Sequence, residues 1–507
     1  MSRERRSQLN STTLVEYEPV IGLEVHVQLS TRSKMFCACA ADYQFAEANT
    51  RVCPVCLALP GALPVVNRQA IEAAMMIGLA LNCEVVSQTK FDRKNYPYPD
   101  LMKGYQISQY DVPICQRGWM ELPGVGATGP VRIRINRVHM EEDVARLIHI
   151  AGPDGGPGHT LMDVNRAGTP LMEIVSEPDI RSSAQAELYI TMLQSIIRYL
   201  GVGTANMEEG SFRCDANVSV RPRGMKELAT KVEVKNMNRI KAVTRAIDHE
   251  VARQSKVYRD GGRIVQETRG WDDLRGETVP QRSKEEAHDY RYFPEPDIPP
   301  VRISREWSAE VASRLPELPR ARKERFIATW GLSEYDSALL TSTRATADYF
   351  EAVVAHGPTS NPRAFAKETA NWLNGEMSRL LNEARSDVSS IKIGPEQLAV
   401  LVNKFSSREL NNASAKEVFG EMFRTGQDAD HIISARGLGK VSDAGALVPV
   451  VDAVIASNPG AVADYAAGKD TALRFLIGQV MKSSRGQADP NIATKLLTER
   501  LTTIKNP

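Results

Sequence analysis

Four short segments of this chain alternate apolar and polar residues with a period of two. That pattern calls for a β-sheet with one buried face and one polar face. In residues 20–29, Leu23, Val25, Val27 and Leu29 point one way, and Glu24, His26 and Gln28 the other. Residues 131–136 repeat the pattern with Arg132, Arg134 and Asn136 on the polar side. In residues 211–220, Phe212, Cys214, Ala216, Val218 and Val220 oppose Arg213, Asp215, Asn217 and Ser219. In residues 231–235, Val232 and Val234 oppose Lys231, Glu233 and Lys235. Helical spacing follows or separates these strands. Leu188, Met192, Leu193, Ile196 and Leu200 form one stripe, stopped by Gly201. Asn238 is placed to cap a helix carrying Ile240, Val243, Ile247 and Val251. The expected fold class is α+β, on a mostly antiparallel sheet whose second face is rich in Glu, His, Arg, Asp and Lys.

At 507 residues the chain has room for two to four domains. A polar leader is expected over residues 1–16 and the sheet domain over 17–300, closed by the proline-rich stretch 293–300. A linking helical region is expected over 301–360 and a small all-helical tail over 361–507. In the tail Leu447, Val450, Val451, Val454 and Ile455 form one stripe, and Leu473, Leu476, Ile477, Val480 and Met481 another. The longest apolar tract, residues 70–83, is interrupted by Glu72 and falls short of the ~20 residues a membrane span needs. A cytoplasmic location and no membrane contact are expected. With 63 basic and 62 acidic residues, any nucleic-acid contact must come from local basic patches rather than the global field.

Four of the seven cysteines fall within twenty residues, as Cys37-x-Cys39 and Cys53-Pro-Val-Cys56. Two close thiol pairs can fold into one tetrahedral site, and thiolates suit a structural zinc. The alternative is four free core cysteines. Cys83, Cys115 and Cys214 are scattered and read as core residues.

Carboxylates recur on the polar face. Glu24 and His26 project to one side of a strand; His139-Met-Glu-Glu-Asp143 and Met207-Glu-Glu-Gly210 add acidic runs, and Asp215 lies on a following strand. Clustered carboxylates repel unless a cation holds them, and hard oxygen ligands beside phosphates suit magnesium. The competing reading is a solvated acidic face paired with arginines. Residues 90–100, with Lys90, Lys94, Tyr96 and Tyr98, interleave cations and tyrosines that can hold phosphates and stack on bases, or form an ordinary surface loop. Asp289-Tyr-Arg-Tyr-Phe-Pro-Glu-Pro-Asp297 can line a site or staple the domain end. No complete phosphate-binding glycine loop occurs; Gly437-Leu-Gly-Lys440 is a fragment of one.

Several longer strings carry a family resemblance: Val20-Ile-Gly-Leu-Glu-Val-His-Val27, Lys90-Phe-Asp-Arg-Lys-Asn-Tyr96, Tyr105-Gln-Ile-Ser-Gln109, His139-Met-Glu-Glu-Asp143, Asn165-Arg-Ala-Gly-Thr-Pro-Leu171, Glu173-Ile-Val-Ser-Glu-Pro-Asp179, Met207-Glu-Glu-Gly-Ser211, Arg213-Cys-Asp-Ala-Asn217 and the 289–297 segment. Together with residues 478–487 they resemble the B subunits of tRNA-dependent amidotransferases from about residue 17 onward. The resemblance implies a cradle domain holding a kinase and transamidase centre, with a YqeY-like helical tail against the body of a tRNA. It implies ATP as substrate, with a misacylated Glu-tRNA or Asp-tRNA as the other. The implied partners in a heterotrimer are an amidase (glutaminase), the A subunit, which supplies ammonia, and a small C subunit.

On that footing the magnesium ligands are expected among Glu24, His26 and Glu141 or Glu142, with Glu208 and Asp215 behind them. His26 is an unusual magnesium ligand on hardness grounds, which leaves room for a water-mediated contact or for manganese. Lys90, Lys94 and Arg213 are the expected phosphate contacts, and Lys231, Glu233 and Lys235 are candidates for an ammonia path. The rival readings are a non-catalytic tRNA scaffold and a small-molecule ligase of the glutamine synthetase kind. The long helical tail argues against the second.

Overall fold

The computed structural model describes residues 15–125, 129–152, 158–283, 290–439, 444–484 and 487–505. The leader, apart from its last two residues, lies outside them, as does Asp289 of the 289–297 motif. The chain divides into two compact units between Leu318 and Pro319.

The first unit is built on a nine-stranded sheet, with Tyr17–Gln28 in the middle. That strand pairs antiparallel with Phe212–Pro222 on one side and Pro170–Ser176 on the other. Val131–Glu142 continues the sheet beyond Pro170–Ser176, and Val232–Lys235 beyond Phe212–Pro222. One pairing within the sheet, Val232–Lys235 with Glu267–Asp272, is parallel. The expected alternation sets the register. Leu23, Val25 and Val27 are fully buried, as are Ala216 and Val218 across from them, and they face helices Arg68–Ala80, Ser183–Leu200 and Ile240–Arg259. Each buried Leu or Val among them contributes about 1.5–3 kcal/mol, and a one-residue slip would expose the whole set.

The helix boundaries have local causes. Ser182 caps the second helix by accepting from Gln185 N, and Gly201 ends it in the left-handed region at φ 68°. Asn238 does not cap the third. Its N-cap is Arg239, which makes no side-chain cap bond; the helix is held by packing of Ala242, Val243, Ala246 and Ile247 instead. The strand expected over 131–136 runs on to Glu142, so the His139–Glu142 run belongs to the sheet.

The proline-rich stretch is not the end of this unit. Helix Arg305–Ser313 folds back onto Arg68–Ala80: Val311 enters the core, and Trp307 and Arg314 donate to Glu72 at 3.1 and 2.8 Å. The second unit is helical and has two cores. One joins Phe326, Phe350, Phe365, Trp372 and Phe419, crossing the boundary expected at 360 because the apolar stripes on either side of it face one another. The other joins Leu447, Val451, Leu476 and Val480, from the stripes expected in the tail, with Leu497 of the last helix. No single helix among the described residues is long and apolar enough to cross a membrane.

Candidate active site and thiol cluster

The polar face of the sheet brings four strands to one row. His26 stands opposite Arg213 on one neighbour and Glu173 on the other, and Glu173 stands opposite His139. His26 Nε2 lies 3.4 Å from Glu173 Oε2, and His139 Nε2 lies 3.2 Å from the same oxygen. His139 also approaches Glu141 Oε1 at 3.2 Å. Ser108 Oγ donates to that oxygen at 2.8 Å, and Gln106 Nε2 donates to Glu141 Oε2 at 3.1 Å. One ligand atom each from His26, Glu141 and Glu173 lies within 4.8 Å of the others. An imidazole nitrogen and two carboxylates at that spacing fit a divalent cation.

Burial sharpens the charges. Burial opposes ionisation of Glu141, but Lys94, with its ammonium 3.9 Å away, and His139 outweigh it and hold the carboxyl down to about 2. Glu173 is likewise held well below the usual range by the two histidines, against its burial. Burial disfavours the His139 cation, yet Glu173 and Glu141 raise it to about 9; His26 is raised in the same way, chiefly by Glu173. In the absence of a cation, histidinium therefore supplies part of the positive charge that the carboxylates require.

Beside this cluster lies an open cleft of ≈ 990 Å³, lined in part by His26, Lys94, Glu141, Arg166, Arg213, Asp215 and Lys235. Asp143 is buried and holds Arg213 by accepting from its guanidinium at 3.0 Å; Arg166 lies 3.8 Å from its other oxygen. Gln28 Nε2 donates to Asp143 at 2.6 Å, and Tyr43 donates to Gln28 Oε1 at 3.0 Å. Arg213 Nε is buried without a partner among the described residues, as expected of a guanidinium positioned to receive an anion. Lys235 donates to Asp215 at 2.6 Å and lies 3.1 Å from Glu233. Its ammonium is held well charged: burial opposes this, and Asp215 and Glu233 prevail.

The two aromatic motifs pack against each other. Phe293–Pro294 pairs with strand Asp92–Asn95, Arg93 bonds Glu295 at 2.7 Å, and Tyr110 stacks on Tyr292 at 4.2 Å. Lys94 Nζ sits 5.7 and 5.2 Å from the ring centres of Tyr96 and Tyr290.

Not every expected residue joins this site. Glu142 points to the opposite face of its strand, bonded to Lys103 and accepting from Ile107 N at 3.0 Å. It is out of phase with His139 and Glu141, so only one of the two adjacent glutamates can reach His26. Glu24 shares the His26 face but stands beside Asp215, one pair along the strand, and accepts from Asn217 at 2.7 Å. Lys90 is paired with Asp92 and Asp111 and does not line the cleft. Lys231 is exposed just before its strand, and Glu208 lies exposed on the cleft rim. Sequence reasoning overlooked Glu173, the one charged residue in a mostly apolar strand, and the positioning roles of His139 and Asp143. The isolation of Glu173 among Leu171, Met172, Ile174 and Val175 is the signal that could have found it.

Cys37, Cys39, Cys53 and Cys56 converge, with all four sulfurs within 4.8 Å of one another. Cys53 and Cys56 Sγ are 3.9 Å apart, and Cys53 N donates to Cys56 Sγ at 3.1 Å. Zn–S bonds of about 2.3 Å place tetrahedral sulfurs about 3.8 Å apart, so the four thiols fit such an ion. Hydrogen bonding from Cys37 leads the influences that pull Cys56 down to about 5, while Cys37 itself is pushed up. Cys83, Cys115 and Cys214 are buried and free.

Residues 19–309 match the family described as GatB/GatE catalytic domain, and residues 348–501 match the GatB domain. A protein of Dehalococcoides mccartyi, named as the B subunit of aspartyl/glutamyl-tRNA(Asn/Gln) amidotransferase, is 54% identical over 96% of this chain and 99% of its own length. Proteins of the same name from Carboxydothermus hydrogenoformans and Thermomicrobium roseum are 51% and 50% identical, each over 96% of this chain and 99% of its own length. With matched family domains in both units and relatives at this identity along nearly its whole length, the chain belongs to the GatB family of tRNA-dependent amidotransferase B subunits.

Proposed function

We propose that the chain is the subunit of an ATP-dependent transamidase that converts misacylated Glu-tRNA(Gln), Asp-tRNA(Asn) or both to the amide. The observation that carries this reading is the His26, Glu141 and Glu173 cluster, set beside a cleft with cationic walls. A carboxylate is a poor acyl donor because its leaving group would be oxide. In the first step a side-chain carboxylate oxygen attacks the γ-phosphorus of ATP, the bond to ADP breaks, and an acyl phosphate forms. In the second, ammonia attacks the acyl carbon and the carbon–oxygen bond to phosphate breaks. One proton of the ammonia leaves with inorganic phosphate.

His26, Glu141 and Glu173 would hold magnesium, with Glu24 and Asp215 close by on the same face. When bound, the ion supplies charge neutralisation for the transferring phosphoryl group. Lys94, Arg166 and Arg213 present fixed positive charge to the anionic groups in the cleft, and Asp143 keeps the two arginines from turning away. Lys235, Glu233 and Asp215 form a polar path along the neighbouring strands suited to ammonia. A glutaminase partner, the A subunit, clamped by a small C subunit, would deliver it. The four thiols would hold a structural zinc. The helical tail would contact the body of the tRNA, and the complex would work in the cytoplasm.

The deciding experiment is ATP hydrolysis and amide formation by the reconstituted complex, with Glu-tRNA, Asp-tRNA or free glutamate. The expected result is turnover that requires charged tRNA and a divalent ion. Turnover with free glutamate would replace this reading with a small-molecule ligase. Charged-tRNA binding without tRNA-dependent ATP turnover would leave a scaffold.

A further inference from the structure

Lys34 is fully buried, at 0% exposure, in the segment leading to the first thiol pair. Its ammonium donates to Arg51 O at 2.8 Å and reaches Val164 O at 3.5 Å. No carboxylate lies within 4.0 Å of it among the described residues, so its charge is met only by carbonyl dipoles. A buried ammonium without a counter-charge is costly enough that such lysines are rarely fully buried.

The surroundings supply a counter-charge of another kind. Lys34 N donates to Cys39 O at 2.9 Å, and Arg51, whose carbonyl the ammonium binds, lies two residues before Cys53. Lys34 thus ties together the two halves of the thiol cluster. Gly168, at φ +81°, passes beside both the Lys34 stem and Cys56. A Cβ added there would lie 3.4 Å from Lys34 Cδ and 3.8 Å from Cys56 Cβ. Four thiolates around a divalent ion carry a net charge of −2, which is itself costly to bury. The lone cation and the thiolate cluster therefore meet each other's requirement.

We propose that Lys34 is the charge-balancing and positioning residue of the thiolate-bound metal. This rests on reading the four thiols as a zinc site. Outer-shell partners of metal ligands typically change affinity by about 10–100-fold. In the full chain, Lys34→Met is expected to weaken zinc binding by that factor, measured by competition with a chromophoric chelator. Lys34→Gln, which keeps a donor but lacks the charge, should fall in the same range and serves if the methionine variant does not fold.

A second readout separates charge balance from simple packing. Without metal the cluster carries less negative charge than the −2 of the four-thiolate site, so removing the buried charge should lower the melting temperature of the zinc-loaded protein more than that of the zinc-free protein. Zinc affinities within twofold of the parent for both variants would overturn the proposal, as would equal destabilisation of loaded and zinc-free forms. Failure of the unmodified chain to bind zinc at all would instead remove the underlying reading of the thiols.

Discussion

His26 and Glu173 lie on adjacent antiparallel strands, directly paired in register, with Nε2 and Oε2 3.4 Å apart. Neither is close to the other in sequence, yet they form the edge of the cluster that fits a divalent ion. Glu173→Gln keeps the side-chain shape and removes the charge that both histidines face. ATP turnover and amide formation by the reconstituted complex are expected to fall at least about 100-fold, with a raised requirement for magnesium or manganese. Glutamine hydrolysis by the partner should continue. Equal loss of both activities would point to misfolding instead.

Glu142 provides the contrast. It is buried and paired with Lys103 on the other face of the strand. Glu142→Gln is expected to destabilise the protein by about 1–3 kcal/mol, visible as a lower urea midpoint, without shifting the ion dependence of turnover. A shifted metal requirement with unchanged stability would return Glu142 to the ion site.

Glu24 stands beside Asp215 rather than against His26. Glu24→Gln should lower amide formation while partner glutamine hydrolysis remains measurable. Manganese binding followed by electron paramagnetic resonance is expected to retain the first ion in this variant and to lose it in Glu173→Gln. Loss of that ion in Glu24→Gln would place Glu24 among its direct ligands.

Glu72 joins two helices of the first unit by accepting from Arg68, Trp307 and Arg314. Burial opposes its ionisation, but these donors hold its carboxyl down to about 2, below the ordinary value of 4.5. A depressed folded value gives stability that is present above 4.5 and is lost as pH falls from there toward 2. Glu72→Gln should therefore lower the melting temperature at about pH 7 and narrow the gap to the parent progressively between pH 4.5 and 2. A gap that stays constant across that range would exclude the carboxylate as the cause.

The segment bearing the four thiols rests on a small apolar cluster of Ala145, Val164 and Ala167, backed by Val52, Leu57 and Met102. With so little buried apolar surface, residues 37–56 would depend for their fold on the proposed zinc. Removing zinc with a chelator is expected to lower the melting temperature by about 5 °C or more. An unchanged melting temperature after removal verified by elemental analysis would refute a structural metal.

Strand parity, helical stripes and the spacing of two thiol pairs are local properties, and the sequence by itself determined them. They were enough to place the buried row through Leu23, Val25 and Val27, to set Glu24 and His26 on the polar face, to single out the cysteines and to identify the family. The choice between Glu141 and Glu142 stayed open in the sequence, because the strand that puts them on opposite faces runs on to Glu142 only in the structure. What only the tertiary structure decided was which polar groups meet. Glu173 reaches His26 because Pro170–Ser176 pairs with Tyr17–Gln28 in one register, between segments far apart along the chain. Lys94 meets Glu141, and the 289–297 motif meets residues 92–95, through pairings that no local spacing encodes. The helix after the proline-rich stretch stays with the first unit because Val311 and Trp307 find their partners on Arg68–Ala80, a choice made by packing rather than by the prolines.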